Sequence, residues 1–107
     1  MPTDYYTYRL SWSPEDEEYV ATCVEFPSLS WLDEDEFEAM RGIKRLVAEV
    51  VTDLRESGEP VPDPLVTRRY SGQFMLRTTP DMHRRLVLEA AEAKVSLNRY
   101  INAKLAG

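Results

Sequence analysis

Three prolines within five residues, at positions 60, 62 and 64, divide this sequence into two parts. Proline has no backbone N–H and keeps the residue before it out of helical geometry, so Gly58–Pro64 cannot lie in a helix or a central strand. The stretch is a loop or a semi-rigid linker. The 107 residues suffice for one ordinary domain or two very small ones, and we predict two, over residues 1–69 and 70–107.

The net charge of −6 conceals a difference between the two parts. Residues 1–64 contain 5 Lys/Arg and 16 Asp/Glu, whereas residues 65–107 contain 8 and 3. Nucleic acid would repel the acidic part and attract the basic part. No apolar run is long enough to cross a bilayer, and the first eight residues lack a signal-peptide pattern, so the sequence predicts a soluble cytoplasmic protein.

The first part begins with an alternating pattern typical of strands. Tyr5–Trp12 and Tyr19–Phe26 are rich in aromatic and β-preferring residues and flank a charged turn, which predicts a hairpin. Pro27 is expected to end the second strand. Leu29–Leu32 is a candidate third strand.

The spacing then changes and predicts one long helix, from about Glu34 to Ser57. Gly58 is its expected terminator, and Leu65–Arg69 is a candidate last strand. The predicted order is βββα(β), in an α+β chain. The apolar residues at helical spacing are Phe37, Met40, Ile43, Val47, Val50, Val51 and Leu54.

The segment Gly72–Pro80, GQFMLRTTP, predicts a strand that leads directly into a helix. Thr79 can cap that helix and Pro80 suits its first position. Helical spacing continues over Pro80–Lys94, and Ser96 can cap a final helix. The strand has two sides, one with Gln73, Met75 and Arg77 and the other with Phe74, Leu76 and Thr78.

The tail is too small to build a sufficient core alone, so we expect it to pair with a second copy. Two antiparallel Gly72–Thr78 strands would form a ribbon whose open side carries glutamine and arginine. Such a ribbon fits the DNA major groove, where arginine binds guanine and glutamine binds adenine. The start of the last helix offers N–H groups to phosphates.

The tail resembles the Arc-like ribbon-helix-helix repressors, because QFMLRTTP is followed by a helix and then by VSLNRYI. Arc-like repressors have a polar asparagine where this chain has Met75, which offers a base only apolar contact. The resemblance implies three groups of residues: the base-reading triplet Gln73, Met75 and Arg77; the phosphate-binding residues Ser96, Leu97 and Asn98; and the dimer core Phe74, Leu76, Leu86 and Ile101.

The first part is similar to antitoxins of the HicB family. The similarity rests on a Tyr-rich strand, an acidic turn, YVATCVEFP, a helix starting near EDEFEAMRGI, and ESGEPVPDP. It implies a partial RNase H-like domain that blocks a small, basic, RNA-cleaving toxin of the HicA type, with a tail that represses the operon of both proteins. The alternative is a stand-alone regulator whose first part senses a ligand or oligomerises.

Catalysis is not expected, although a weak nuclease is a third alternative. Two-metal hydrolysis needs carboxylates that converge from different elements, whereas the acids here are mostly consecutive, at 15–18 and 33–38, and only Glu25 stands apart. We expect no cofactor and no metal.

Cys23 is expected to be a buried thiol and His83 an exposed residue. Arg68 and Arg69 are either solvated linker residues or phosphate contacts.

Overall fold

The computed structural model describes residues 3–107 and divides the chain into two compact units. The front unit ends at Tyr70, and the tail unit comprises Ser71–Gly107. The predicted α+β class is confirmed, because the described residues form a three-stranded antiparallel sheet and three α-helices.

The sheet of the front unit has the strand order β1–β2–β3. β1 and β2 form the predicted hairpin, in register from Tyr8 opposite Cys23 to Ser13 opposite Glu18. The first strand starts later than predicted, because Thr3–Tyr5 forms a turn of 3-10 helix. The strands are β1 at Tyr8–Ser13, β2 at Glu18–Cys23 and β3 at Phe26–Asp33.

Pro27 lies inside β3, so the prediction that it ends the second strand is wrong. β3 pairs only with β2 and is therefore an edge strand. An edge strand tolerates proline, because the missing N–H can fall on the unpaired side. The register shifts between Thr22 and Cys23, and the chain turns into β3 before the proline.

Helix α1 (Glu36–Glu56) packs against this sheet. The Asp35 carboxylate caps it by accepting hydrogen bonds from the N–H groups of Phe37 and Glu38, at 2.7 and 3.2 Å. Gly58 follows the last turn with a φ of 73°, as a helix terminator does. The helix buries Ala39, Gly42, Ile43, Val47 and Val51.

Phe37 does not belong to the buried stripe of α1, contrary to the prediction. Its side chain is 65% exposed. At 3.6 residues per turn, Phe37 lies roughly 160° around the helix from the buried Ala39. The three-residue step from Phe37 to Met40 fits a stripe, but the stripe that meets the sheet runs along the other side.

The proline-rich stretch Gly58–Pro64, here termed the strap, is packed against the front unit. The Tyr6 hydroxyl donates a 2.6 Å hydrogen bond to the carbonyl oxygen of Pro62. Val61 packs against the core, and Pro64 is fully buried. The strap is therefore an ordered loop of the front unit.

The candidate strand at Leu65–Arg69 is absent from the structure, where these residues form turns. The N–H groups of Thr67 and Arg68 both donate to the carbonyl oxygen of Pro64, at 3.2 Å each. Because the backbone folds back on Pro64, it cannot extend along the sheet.

The tail unit consists of an extended segment and two helices, α2 (Pro80–Glu92) and α3 (Leu97–Ala106). The predicted caps are confirmed. Thr79 Oγ1 accepts from the N–H of Met82 at 3.2 Å, and Ser96 Oγ accepts from the N–H of Arg99 at 3.1 Å. Within Ser71–Gly107, all of which is described, Ala90 is the only buried residue, so this unit has almost no core of its own.

Candidate nucleic-acid interface

The segment Gly72–Thr78 is not paired as a strand within the single chain. The N–H of Gln73 binds the Ser71 hydroxyl at 3.0 Å. In the described chain, residues 3–107, no hydrogen bond reaches the backbone groups of Phe74–Thr78. Residues 72–80 are all exposed. The segment therefore presents free donors and acceptors to any partner strand.

The three residues predicted to read bases, Gln73, Met75 and Arg77, are all exposed. The Met75 thioether side chain is 79% exposed, so an apolar group stands between two hydrogen-bonding ones. Long exposed apolar side chains are unfavourable in water, and contact with a thymine methyl would cover this one.

The four residues predicted to form a dimer core differ in exposure within the single chain. Phe74 and Leu76 are 79% and 62% exposed, whereas Leu86 and Ile101 are half-buried. Leu76, Leu86 and Ile101 line a groove of about 520 Å³, and Phe74, Leu76 and Ile101 line a second of about 440 Å³. The tail unit thus has two open grooves, of which the larger is mainly apolar and the smaller also contains Gln73, Asn98 and Asn102.

His83 is exposed, as predicted, and it lines the larger of these grooves. The groove also contains Pro80 and Leu97. Helical spacing places His83 one turn before Leu86 and Val87. The sequence alone does not show that His83 lies in a groove.

The N-terminus of α3 has unpaired N–H groups at the predicted phosphate site. Ser96 caps the N–H of Arg99, and the carbonyl oxygen of Ser96 accepts from Tyr100 at 2.9 Å. No hydrogen bond in residues 3–107 reaches the N–H groups of Leu97 and Asn98. These two groups, at the positive end of the helix dipole, are suited to a phosphate oxygen.

The charge of the tail unit also suits an anionic partner. It contains six Lys/Arg and three Asp/Glu. Asp81 pairs with Arg84 at 3.4 Å, and the Lys104 ammonium lies 5.4 Å from the centre of the Tyr100 ring. Arg68 and Arg69 are exposed and belong to the front unit.

Residues 57–105 match the model of the HicB family. The HicB match covers the strap, the extended segment and nearly all of the tail unit. The match supports the predicted family for this part of the chain. Residues 1–56 lie outside the match, so the resemblance of the first part stays a prediction. Comparison with curated proteins gave no match, and comparison with solved structures gave none.

Glu25, the acid that the sequence sets apart, holds three segments of the front unit together. Its carboxylate accepts hydrogen bonds from the N–H of Thr7 and the N–H of Leu65, both at 2.9 Å, and from the Thr7 hydroxyl at 3.2 Å. Burial would raise the pKa of this carboxyl, but the hydrogen bonds from Leu65 and Thr7 lower it below its ordinary value. The residue is thus a structural anchor whose partners lie far away in sequence.

Cys23 is buried, as predicted. Burial raises the pKa of its thiol, and the Sγ atom lies 3.6 Å from the Glu25 carboxylate. An activated cysteine has a lowered pKa and a cationic neighbour. Cys23 has the opposite surroundings, and it packs as a small apolar side chain.

Within residues 3–107, no group of three His, Cys, Asp or Glu side chains is placed to hold a metal ion. In the same residues, no helix combines the length and apolar character needed to cross a bilayer.

Proposed function

We propose that this protein is a non-catalytic HicB-type antitoxin that binds and blocks a HicA-like mRNA-cleaving toxin, and that its tail binds operator DNA and represses the operon of both proteins. The HicB match over residues 57–105 supports the antitoxin role. The observation that carries DNA binding is the unpaired, fully exposed segment Gly72–Thr78.

Dimerisation follows from the state of the tail in the single chain. Phe74 and Leu76 are exposed to water beside two open grooves, and five consecutive residues have unpaired backbone groups. Burial of apolar surface stabilises by about 25 cal/mol per Å². Pairing of two copies of the segment would bury that surface and complete the missing hydrogen bonds.

On this pairing, Gln73, Met75 and Arg77 of both chains lie on the open side of a two-stranded ribbon that enters the major groove. Arginine can bind guanine O6 and N7, and glutamine can bind adenine N6 and N7. The free N–H groups of Leu97 and Asn98 bind backbone phosphates, which fix the register of the ribbon on the duplex. Arg68 and Arg69 contribute further phosphate contacts.

The front unit is proposed to be the partial RNase H-like, toxin-binding part. Its acidic composition suits a small basic partner and disfavours nucleic acid. The protein needs no cofactor in this role, because both activities are binding.

Two measurements test the proposal. The full chain should shift a DNA fragment that carries its own promoter, and co-expression should relieve growth arrest by the HicA-like protein of the adjacent reading frame. A chain that ends at Tyr70 should lose the DNA shift. DNA binding without relief of growth arrest would favour a stand-alone regulator. The absence of both activities would refute the proposal.

A further inference from the structure

The side of the front unit between β1 and α1 exposes apolar side chains. Trp12 is 50% exposed and Leu10 37%, in addition to Phe37. Single exposed apolar residues are ordinary, whereas contiguous ones mark interaction surfaces. Leu10, Trp12 and Phe37 together are termed the β1–α1 flank.

The register and the helix spacing place these three side chains on the same flank. Leu10 lies opposite the buried Ala21, so alternate residues of β1, Tyr8, Leu10 and Trp12, share the face that α1 covers.

The Lys44 ammonium lies 5.5 Å from the centre of the Tyr8 ring, which shows which side of α1 adjoins β1. Phe37 is seven residues before Lys44 and therefore projects from the same side of the helix, two turns toward its N-terminus.

The flank lies at the acidic end of the unit. The hairpin joins Ser13 to Glu18, and the next pairing sets Tyr19 opposite Asp33, so the turn of the hairpin and the start of α1 are at one end of the sheet. The sequence has no Lys or Arg between Arg9 and Arg41. The acids at this end are Glu15, Asp16, Glu17, Glu18, Asp33, Glu34, Asp35, Glu36 and Glu38.

We propose that the β1–α1 flank is the surface on which the front unit binds a basic protein, with Phe37 and Trp12 as apolar anchors and the surrounding carboxylates as the charged rim. This inference rests on the proposed antitoxin function and locates its toxin interface. An apolar centre within a charged rim is the usual composition of a protein interface. The negative charge selects a cationic partner and repels nucleic acid and anionic lipid.

Trp12 supports a cationic partner in a second way. Its ring meets the Tyr19 ring edge to face, with centroids 4.9 Å apart, and half of it is open. Tyr8 and Tyr100 each carry a lysine of this chain near the ring. The open side of Trp12 can receive an arginine or lysine of the partner.

The test measures binding of the full chain to an inactive form of the HicA-like protein of the adjacent reading frame. Phe37→Ala should raise Kd about tenfold or more, as truncation of an interface anchor does. Leu32→Ala is the matched control, since Leu32 is 40% exposed on the opposite face of the sheet, and Kd should stay within about twofold. Phe37 is largely exposed, so the variant should melt like the parent chain.

A pair of charge reversals separates the effect of the rim from that of net charge. Glu34→Lys combined with Glu36→Lys changes the rim beside the flank. Asp53→Lys combined with Glu56→Lys makes the same change in net charge at the far end of α1. The rim variant should slow association with the basic protein more than the far-end variant does.

Two outcomes distinguish a failure of the flank from a failure of the proposed function. The β1–α1 flank would be ruled out as the binding surface if the parent chain, Phe37→Ala and Trp12→Ala had equal Kd. Equal slowing of association by the two charge reversals would also rule it out, and in both cases the antitoxin role would stand. Absence of binding by the parent chain would instead overturn the proposed function.

Discussion

The indole ring of Trp31 occupies the space that a β-carbon on Gly42 would need. A β-carbon built there overlaps three atoms of the ring, well inside van der Waals contact. Trp31 lies on β3 opposite Ala21, and Gly42 lies on α1, so this contact sets how closely the helix approaches the sheet. A glycine inside a helix costs roughly 0.5–1 kcal/mol relative to alanine, and here close packing explains it.

Gly42→Ala should therefore destabilise the protein despite the better helix propensity of alanine. Overpacking costs about 1–3 kcal/mol, which exceeds the propensity gain. The measurement is the free energy of unfolding in urea. In a Trp31→Ala background the same change should be neutral or stabilising. If Gly42→Ala stabilised the parent chain, the close approach of ring and helix would be wrong.

Glu25→Gln should weaken the front unit at neutral pH by about 1–2 kcal/mol, because the amide has no charge and keeps only one of the two acceptor oxygens that bind Thr7 and Leu65. The pKa of Glu25 is lowered by folding, so its contribution is present above the unfolded pKa of 4.5 and is lost as pH falls through the folded value. The stabilities of the parent chain and of Glu25→Gln should thus converge at acid pH.

Amide exchange provides a local measure of the Glu25 contact. The protection factor of the Leu65 N–H should fall in Glu25→Gln, while that of a mid-helix amide such as Val47 should change only with global stability. An unchanged protection factor at the Leu65 N–H would contradict the anchoring role of Glu25.

Phe74→Ser should convert the proposed dimer to a monomer, because it removes the larger apolar group of the ribbon. Met75→Ser is a closely matched control, since Phe74 and Met75 are neighbours with the same exposure of 79% in the single chain. Sedimentation should show a dimer for the parent and for Met75→Ser. If both variants were monomers, or if both remained dimers, pairing through one specific side of the segment would be ruled out.

Arg77→Ala should cost about 1–3 kcal/mol of operator binding and relax base preference at one position. Arg84→Ala removes the same charge from α2, where Arg84 pairs with Asp81, and should have a smaller, sequence-independent effect. Titration of operator and scrambled DNA at fixed salt distinguishes the two. Equal losses for both variants on both DNAs would mean that Arg77 supplies charge alone.

Glu17→Gly should stabilise the front unit by about 0.5–1 kcal/mol, since a non-glycine residue in the left-handed region is strained. Glu17 has a φ of 54° at the end of the hairpin turn. Glu15→Gly loses the same charge, but Glu15 is not among the residues with positive φ, so this variant should not be stabilised. Thermal melts of the two variants test the difference.

Features set by neighbouring residues were predictable from sequence, and features set by distant ones were not. The caps at Thr79 and Ser96 and the terminator Gly58 depend on a few adjacent residues, and all three are confirmed. Helical spacing predicted α1 but placed Phe37 on the wrong side, because spacing alone does not show which of two stripes meets the sheet.

The remaining errors and omissions have a tertiary origin. Pro27 was expected to end a strand because its neighbours could not show that β3 is an edge strand. The anchoring role of Glu25 was missed because its partners are 18 and 40 residues away. In the candidate interface, the two sides predicted for Gly72–Thr78 stay a prediction, because they depend on pairing with a second chain.

The unpaired backbone of Phe74–Thr78 has a consequence for gene dosage. On the proposed pairing, the DNA-binding form arises only when two chains meet, so at low abundance its amount rises with about the square of the chain concentration. A doubling of the chain would give about four times as much repressor. The promoter would then remain active while the protein is scarce. It would become repressed over a narrow range of chain concentration as the protein accumulates.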